Sequence, residues 1–335
     1  MDKELTLNHL ETIWKKGEPN WENVRGKGLG GSDAGTVMGD NQYSSLFELY
    51  WGKKGIRAPF NSTYTDYGHK TEGKIREEFP LILKLQQNVD VKVWESPYTY
   101  RNKNHNYMIA NLDGLVEIDG EMGILEIKTA NIRMKDKWAN NQVPKSYYWQ
   151  VMHYMAVTGL SFALVVAEIG CDAETDTRGV IEFRLVRRDE EAIARLMEAE
   201  KNFWYNNLLA DVEPEMKGSE KEHKLIQLIN EKKENKGSVR KYCEDTELRY
   251  MELLEKKEEM KALEAEIKRI EGELKQELGY ETEVLIEGGS KILRNSKTEY
   301  MKFSTEIFEK DHPELYAEYK LNQVSFDVLR TKKAS

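Results

Sequence analysis

The residues best suited to chemistry lie near the middle of the chain, where an acid precedes a second acid and a lysine. Asp113 comes before one apolar run, and Glu126 and Lys128 lie in a second run, Ile124–Thr129, after a turn predicted at Gly120–Gly123. Alternate side chains of a strand share a face, so Glu126 and Lys128 point to the same side. Two carboxylates can hold Mg²⁺, and an ammonium beside them can position a water and help to deprotonate it. The pattern predicts metal-assisted phosphodiester hydrolysis.

The alternative explanation is a surface hairpin with solvated charges, because an acid followed by acid-x-lysine is common by chance. The neighbours of the pair favour the catalytic interpretation. Ile124, Leu125 and Ile127 make the second strand apolar enough to be central in a sheet. A charged pair on a central strand is costly unless it is paired or binds something.

A glycine-rich segment nearer the start of the chain could bind a phosphate. Arg25 to Asp33 reads Arg-Gly-Lys-Gly-Leu-Gly-Gly-Ser-Asp and predicts a turn in which Ser32 or Asp33 caps a helix that continues from Ala34. Backbone N–H groups exposed at a helix start, with Arg25 and the Ser32 hydroxyl close by, suit a phosphate. The segment matches neither the Walker A nor the dinucleotide pattern. A capped loop without a ligand is the alternative explanation.

An acid near position 70 could join the predicted metal site. The segment Asp66–Phe79 predicts a helix with Glu72 in its first or second turn and Ile75 on the buried side. Glu72 could be a further carboxylate aimed at the metal, or an acid favoured by the positive end of the helix dipole. His69 is better explained as a solvent-facing or capping residue.

A later helix, predicted to begin at Pro144 and to end at a glycine, carries a polar side chain on an aromatic face. Tyr147, Gln150 and Tyr154 are spaced so that they share one face of the helix. Such a face is usually core, yet a buried glutamine must find a hydrogen-bond partner. We assign His153 a structural role.

Basic residues lie between the acid–lysine strand and the helix predicted to begin at Pro144. Arg133 and Lys135 belong to the segment Asn131–Lys137, which follows the acid–lysine strand. A solvated basic loop explains them, and a clamp on a nucleic-acid backbone explains them equally well.

The order of elements predicts an α/β fold, a mixed sheet flanked by helices, over residues 1–211. Residues 1 to 20 predict a short helix, and Val89–Tyr100 a strand. A second hairpin and a long helix follow, at 162–186 and 189–209.

The remaining chain predicts an extension of different character. Residues 212–244 are charged and predict a linker, and residues 245–335 a helical extension with a short hairpin at Gly288–Gly289. The helix carries apolar residues every seven positions, which is typical of a coiled coil and favours oligomerisation or partner docking. These are Leu253, Met260, Ile267 and Leu274.

Composition excludes several classes of protein. The chain has 335 residues, a net charge of −9 and a pI of about 5.5, so any nucleic-acid contact must come from local basic groups. Cys171 and Cys243 lack metal-ligand spacing, which excludes a zinc knuckle or an iron–sulfur cluster. The absence of a long apolar run and of a signal peptide predicts a cytoplasmic protein without a membrane partner.

Five separated segments together resemble the YqaJ-type viral recombinase nucleases, phage and prophage relatives of lambda exonuclease within the PD-(D/E)-x-K superfamily. The resemblance covers residues 21 to 170, and five blocks in the right order are far more specific than any one of them. The blocks are Arg25…Gly28-Leu-Gly-Gly-Ser32-Asp33, Tyr67-Gly-His-Lys-Thr-Glu72, Asn111-Leu-Asp113-Gly, Glu126-Ile-Lys128-Thr and Tyr147-Tyr-Trp-Gln150-Val-x-His-Tyr.

The resemblance implies a PD-(D/E)-x-K nuclease core and assigns roles to its residues. Asp113 and Glu126 correspond to the metal carboxylates, joined by the Ile127 carbonyl. Glu72 corresponds to the helix acid that supports the metal centre. Lys128 corresponds to the lysine that activates water.

The same resemblance places further residues around the site. Gln150, with Tyr147 one turn earlier, matches the helix motif that faces the metal. Arg25, Ser32 and Asn111 fall where the family builds a pocket for the 5′-phosphate of a DNA end.

One position departs from the family pattern. The further basic residue after the lysine has no clean equivalent, because Arg133 and Lys135 flank the expected place, which holds Met134. Phosphate clamping there depends on which of the two basic residues reaches the DNA.

The function that the resemblance implies is a Mg²⁺-dependent exonuclease that digests duplex DNA from 5′ to 3′ and leaves a 3′ single strand. Mn²⁺ would substitute for Mg²⁺. The implied partners are double-stranded DNA ends, a RecT-like single-strand annealing protein and further copies of the chain, with a trimer as one form. The setting is the cytoplasm of a bacterial host, with a phage or prophage gene.

Two alternatives remain open at the level of sequence. An endonuclease selective for DNA structure or sequence could use the same fold, with the Arg25 loop as a capped turn only. A DNA-end binding scaffold with weak catalysis is the other, although intact Asp113, Glu126 and Lys128 speak against it.

Overall fold

A five-stranded mixed sheet is built around the hairpin that carries the acid–lysine pattern. In the computed structural model its strands are ordered β2-β5-β6-β7-β8, with β6 and β7 parallel and the other neighbours antiparallel. The strands are β2 Val91–Glu95, β5 Gly114–Ile118, β6 Glu121–Ala130, β7 Phe162–Ile169 and β8 Val180–Arg187. The structure describes residues 2–19, 21–58, 63–231, 244–280, 282–296 and 301–319.

The turn between β5 and β6 is tighter than predicted. Ile118 already pairs with Glu121, so Asp119 and Gly120 alone form the turn. Both have positive φ, 51° and 83°, as the tight two-residue turns between twisted strands require. The predicted turn at Gly120–Gly123 was therefore wrong, because Gly123 lies inside a paired strand.

Helices cover both faces of this sheet. Helix α4, Thr63–Gln87, packs Ile75 and Phe79 against one face, with strand residues such as Ile127. Helices α5, Lys145–Thr158, and α6, Glu190–Asn202, lie in the core on the other face, and α6 continues as a π-helical turn over Phe203–Leu209. The predicted mixed sheet flanked by helices is confirmed.

A second, three-stranded sheet includes parts of two segments for which the sequence predicted a helix and a single strand. Its order is β1-β3-β4, with β1 Leu10–Lys15, β3 Tyr98–Asn102 and β4 Ile109–Asn111. The helix predicted for residues 1–20 was wrong, because residues 10–15 pair with β3. The single strand predicted over Val89–Tyr100 is also wrong, since it divides at Ser96–Pro97 into β2 and β3, which belong to different sheets.

Three short helices lie between β1 and α4 in the chain. They are α1 Trp21–Gly26, α2 Gly31–Val37 and α3 Leu46–Lys53. Helix α2 approaches α5 closely through its glycines: a Cβ on Gly35 would lie 3.0 Å from the Ser146 Cα. Small residues permit this approach. At the start of α2, Gly31 lies in the same way against the Tyr154 ring of α5.

The first compact unit spans Met1–Lys233 and so extends past residue 211. Within the segment predicted as a linker, Glu220–Glu231 forms helix α7, whose Leu225 and Ile229 pack against Phe47 of α3. Two apolar residues one turn apart are a weak signal in a charged stretch, and their burial depends on a surface that α3 supplies.

The second unit, Glu234–Ser335, contains a long helix and a hairpin. Helix α8 runs from Glu244 to Leu278, and β9 Glu283–Ile286 pairs with β10 Lys291–Arg294. Short helices α9 Thr305–Asp311 and α10 Pro313–Tyr319 follow. Along α8 the seven-residue apolar seam is exposed, with Met260 and Ile267 each 55% accessible. No helix in the described ranges is both long and apolar enough to cross a membrane.

Candidate active site

The β5–β6 hairpin brings the acid–lysine residues together. Glu126 is completely buried on β6, and its Oε1 forms an ion pair with the Lys128 ammonium two residues along the same face. Asp113, just before β5, accepts a 2.8 Å hydrogen bond from the Ile127 backbone N–H to its Oδ2. The predicted sharing of one strand face is confirmed, and Asp113 is held across the hairpin from it.

Burial and charge set the protonation of this cluster. Loss of solvent, reinforced by the Asp113 carboxylate, raises the pKa of Glu126 to about 8. Burial alone would lower the pKa of Lys128, but Glu126 and Asp113 outweigh it and raise that pKa. Lys128 is therefore an ammonium at neutral pH. The Oε2 of Glu126 is buried and has no hydrogen-bond partner among the residues that the structure describes, so it is an acceptor that a cation could satisfy.

Helix α5 supplies the partner that its buried glutamine requires. The Gln150 Nε2 donates to Glu126 Oε1 at 2.6 Å and to the Tyr154 hydroxyl at 3.0 Å. Tyr147, one turn earlier, has the Lys128 ammonium 5.0 Å from its ring centre. This aromatic and amide face thus contacts both Glu126 and Lys128, and it orients Glu126.

Helix α4 contributes an acid and an arginine. Glu72 lies in the third turn of α4, because the helix starts at Thr63, and the prediction of a first or second turn was wrong. Burial and the Asp113 carboxylate raise the Glu72 pKa. Arg76 forms an ion pair with Glu72 and donates to the Asp113 carbonyl at 2.9 Å. Sequence reasoning missed Arg76, although its i, i+4 spacing from Glu72 is a usable signal.

The donor set suits a hard divalent cation. Asp113 and Glu126 offer carboxyl oxygens, which Mg²⁺ prefers, and a bound cation would displace the proton that the raised pKa of Glu126 favours. Within the described residues the Glu126 Oε2 has no hydrogen-bond partner, so it could accept such a cation. Among the described residues, no group of three or more His, Cys, Asp and Glu side chains is close enough to hold a metal. Glu72 is bound by Arg76, so its role as a metal ligand, like that of the Ile127 carbonyl, stays a prediction.

The glycine-rich loop opens into the same cleft. A cavity of about 480 Å³ is lined by Arg25, Ser32 and Asn111 together with Asp113 and the side chains around it. The three residues predicted to hold a phosphate therefore line the same cavity as Asp113 and Glu126, the acids predicted to hold a metal.

The start of α2 differs from the prediction. Gly30 is the N-cap, and Asp33 accepts a 2.9 Å hydrogen bond from the Gly30 N–H, so neither Ser32 nor Asp33 is the capping residue. Asp33 instead reaches back from the third helical position, as in a capping box.

The basic residues of the segment after β6 differ in whether they line a cleft, which the sequence did not predict. It forms a 3₁₀ segment, Ile132–Asn141, in which Arg133 and Lys135 are exposed and do not line the clefts around Lys128. Lys137 does line a second cleft, of about 560 Å³, which Lys128 also lines. The charge pattern cannot separate these three positions, because it does not show which side of the 3₁₀ segment meets the cleft.

His153 serves the core, in keeping with the structural role predicted for it. Its Nε2 lies 2.9 Å from the Ile109 carbonyl, which requires a proton on that nitrogen, and its Nδ1 lies 2.7 Å from Glu200 Oε1. Both side chains are completely buried. The pair therefore shares one further proton and stays neutral overall.

Comparisons with known proteins agree with these motifs. Residues 20–161 match the YqaJ-like viral recombinase domain. The uncharacterized protein YqaJ of Bacillus subtilis (strain 168) is 27% identical over 282 residues, which cover 82% of this chain and 83% of that protein.

Solved exonuclease structures resemble the chain more distantly. The alkaline exonuclease LHK-Exo from Laribacter hongkongensis is 20% identical, with a TM-score of 0.43 over 58% of this chain and 93% of its own. A phage-related exonuclease from Haemophilus somnus 129PT is 14% identical, with a TM-score of 0.37 over 57% and 99%. Residues 20–161 are thus similar to the YqaJ-like viral recombinase domain, in agreement with the resemblance that the motifs of this segment indicate.

Proposed function

We propose that the chain, a deoxyribonuclease with a YqaJ-like domain, is a Mg²⁺-dependent exonuclease that digests duplex DNA from a 5′ end and leaves a 3′ single strand. The observation that carries this proposal is one cleft that contains both functions. Asp113, Glu126, Arg25 and Ser32 all line it. A hydrolytic site beside a phosphate site suits an enzyme that starts from a phosphorylated end.

Hydrolysis would use the groups that meet at the hairpin. Asp113 and Glu126 would hold the metal ion, which when bound lowers the pKa of water and neutralises charge on the phosphodiester. Lys128 carries a proton that its raised pKa retains, so it would act through charge by orienting water and stabilising the developing negative oxygen. Gln150 would keep the Glu126 carboxylate in one orientation, since it donates to Oε1, while no group in the described part of the chain bonds to Oε2.

End recognition would use the glycine-rich loop. The Arg25 guanidinium can bind a phosphate through two parallel hydrogen bonds, and the Ser32 hydroxyl and Asn111 amide can add neutral ones. A terminal 5′-phosphate carries more charge than an internal phosphodiester, so such a pocket favours the end. Retention of each new end would also support processive digestion.

The product defines the partner. A 3′ single strand is what a RecT-like annealing protein binds, and a recombinase domain fits that step. We also propose a homo-oligomer, in which the exposed apolar seam of α8 is a candidate contact surface.

A digestion time course tests the proposal. Linear duplexes with a 5′-phosphate and a label at either end are incubated beside a closed circle, with Mg²⁺, with Mn²⁺ and with a chelator. We expect early release of 5′-terminal nucleotides, an intact circle, activity with either metal and none with the chelator. Nicking of the circle would indicate the endonuclease alternative. Bound but uncut DNA would indicate a scaffold.

A further inference from the structure

Behind the glycine-rich loop lies a buried lysine that touches neither cleft. Lys53 is the last residue of α3, and its side chain is only 3% exposed. A lysine is almost never buried to this degree without partners that satisfy its charge.

The Lys53 ammonium has three acceptors, and all of them belong to the loop. It forms a 2.6 Å ion pair with Asp33 Oδ2, and it donates to the carbonyls of Gly28 at 2.6 Å and Arg25 at 3.1 Å. An ammonium has three donors, so this geometry uses every one of them. One side chain thereby fixes the two ends of the segment from Arg25 to Asp33.

The other side of the loop is held by backbone. Leu29 donates to the Tyr107 carbonyl at 2.6 Å, and its own carbonyl accepts from Ile109 at 2.9 Å. At Gly28, a Cβ would lie 2.9 Å from the Tyr107 carbonyl, so the contact requires glycine. These bonds fix the middle of the loop, whereas Lys53 binds the Arg25 carbonyl and the Asp33 carboxylate at its two ends.

The ionised state of Asp33 depends on its contact with Lys53. Burial alone would raise the Asp33 pKa, but Lys53, the Gly30 N–H and Arg25 outweigh it and lower that pKa. Asp33 therefore stays ionised and keeps its bond to Gly30 at the entrance of α2, one residue from Ser32.

We infer that Lys53 is a positioning residue that sets the specificity for phosphorylated 5′ ends, by holding Arg25 and Ser32 in the geometry that binds the terminal phosphate. This inference rests on the proposed function, because it acts on the same end-binding pocket. A buried ion pair seldom adds stability over apolar residues of equal volume. Its value here is the geometry that three directed hydrogen bonds impose on a loop rich in glycine.

The experiment compares steady-state kinetics of the full-length protein on duplexes with a 5′-phosphate and with a 5′-hydroxyl. Lys53→Met removes the ammonium and keeps the length of the side chain. We expect KM on phosphorylated ends to rise about tenfold or more, since small displacements of binding groups are costly, while kcat/KM on hydroxyl ends changes less than about threefold. Lys54→Met is the matched control, because Lys54 pairs with Asp211 instead of the loop. It should leave the preference unchanged.

A second variant protects the test against simple unfolding. Lys53→Met with Asp33→Asn removes both buried charges and leaves an amide oxygen to accept from Gly30. It should lose the preference for phosphate as the single variant does. An unchanged preference, or an equal loss on both kinds of end as expected from a smaller folded fraction, would overturn the role of Lys53. If the unmodified protein shows no preference for a 5′-phosphate, the proposed end recognition itself fails, which is a distinct result.

Discussion

Substitution of Gly31 by alanine should damage the site without touching a catalytic group. Gly31 begins α2 and packs on the Tyr154 ring: a Cβ there would lie 2.7 Å from Tyr154 Cζ, 3.0 Å from Cδ1 and closer still to Cε1. Ordinary carbon contacts need about 3.5 Å, so the ring or the helix must move by at least about 0.8 Å.

The displacement reaches the metal acid through two hydrogen bonds. The Tyr154 hydroxyl accepts from Gln150 at 3.0 Å, and Gln150 donates to Glu126 at 2.6 Å. A shift of about 0.8 Å stretches the first bond beyond hydrogen-bonding distance. Tyr154 is only 4% exposed, so most of its ring is packed against neighbours. We expect the free energy of unfolding to fall by about 1–3 kcal/mol, as for other overpacked cores. The cleavage rate should fall by about 10²-fold through misplacement of Glu126.

Urea unfolding and the initial rate of nucleotide release measure the two effects. Gly73→Ala is the control, because a Cβ on Gly73 meets nothing within 4 Å and the residue lies inside helix α4. It should raise the free energy of unfolding by about 0.4–1 kcal/mol and leave the rate unchanged. A Gly31→Ala protein with the stability and rate of the original chain would refute the proposed coupling of α2 to Glu126.

Three further substitutions test separate parts of the site. Lys128→Ala should lower the cleavage rate by about 10²-fold or more, because it removes a charge that the reaction needs. It should preserve binding to DNA in a mobility-shift assay, because it removes no metal ligand. Residual full activity would contradict this. Arg25→Ala should lower the preference for 5′-phosphorylated over 5′-hydroxyl ends, measured as a ratio of kcat/KM, and an unchanged ratio would leave Arg25 as part of a capped turn. Burial lowers the pKa of His153, but Glu200 outweighs it, so the raised pKa contributes stability that is lost as the pH rises through it. Glu200→Gln should flatten that loss in unfolding curves taken at increasing pH, and identical pH profiles would contradict the assignment.

The chemistry of the hairpin could be predicted because it depends on local geometry. Alternation along one strand is enough to place Glu126 beside Lys128, and helical spacing is enough to place Tyr147, Gln150 and Tyr154 on one face. The requirement that a buried glutamine find a partner also held, since Gln150 donates to Glu126.

The contacts that position these groups could not be predicted, because each joins distant parts of the chain. Arg76 binds the carbonyl of a residue 37 positions away, and Lys53 binds carbonyls 25 and 28 positions away. Nothing in the composition of an α3 helix indicates which loop it will support. The pairing of β1 with β3 likewise depends on a partner strand some 90 residues later, and an apolar spacing alone cannot distinguish it from a helix.

In the proposed mechanism, the loop that binds the phosphate contacts the groups that orient Glu126 through packed side chains. Helix α2 begins at the phosphate loop, where Asp33 accepts from the Gly30 N–H, and its first residue rests on Tyr154. Tyr154 in turn orients Gln150 and Glu126. A phosphate that pulled Arg25 and Ser32 out of place would therefore disturb the metal acid, whereas a well-seated terminal phosphate would leave it aligned. Because close packing transmits such shifts, an end that fits the loop poorly should lower kcat as well as raise KM. That dependence would distinguish a connected site from two independent ones.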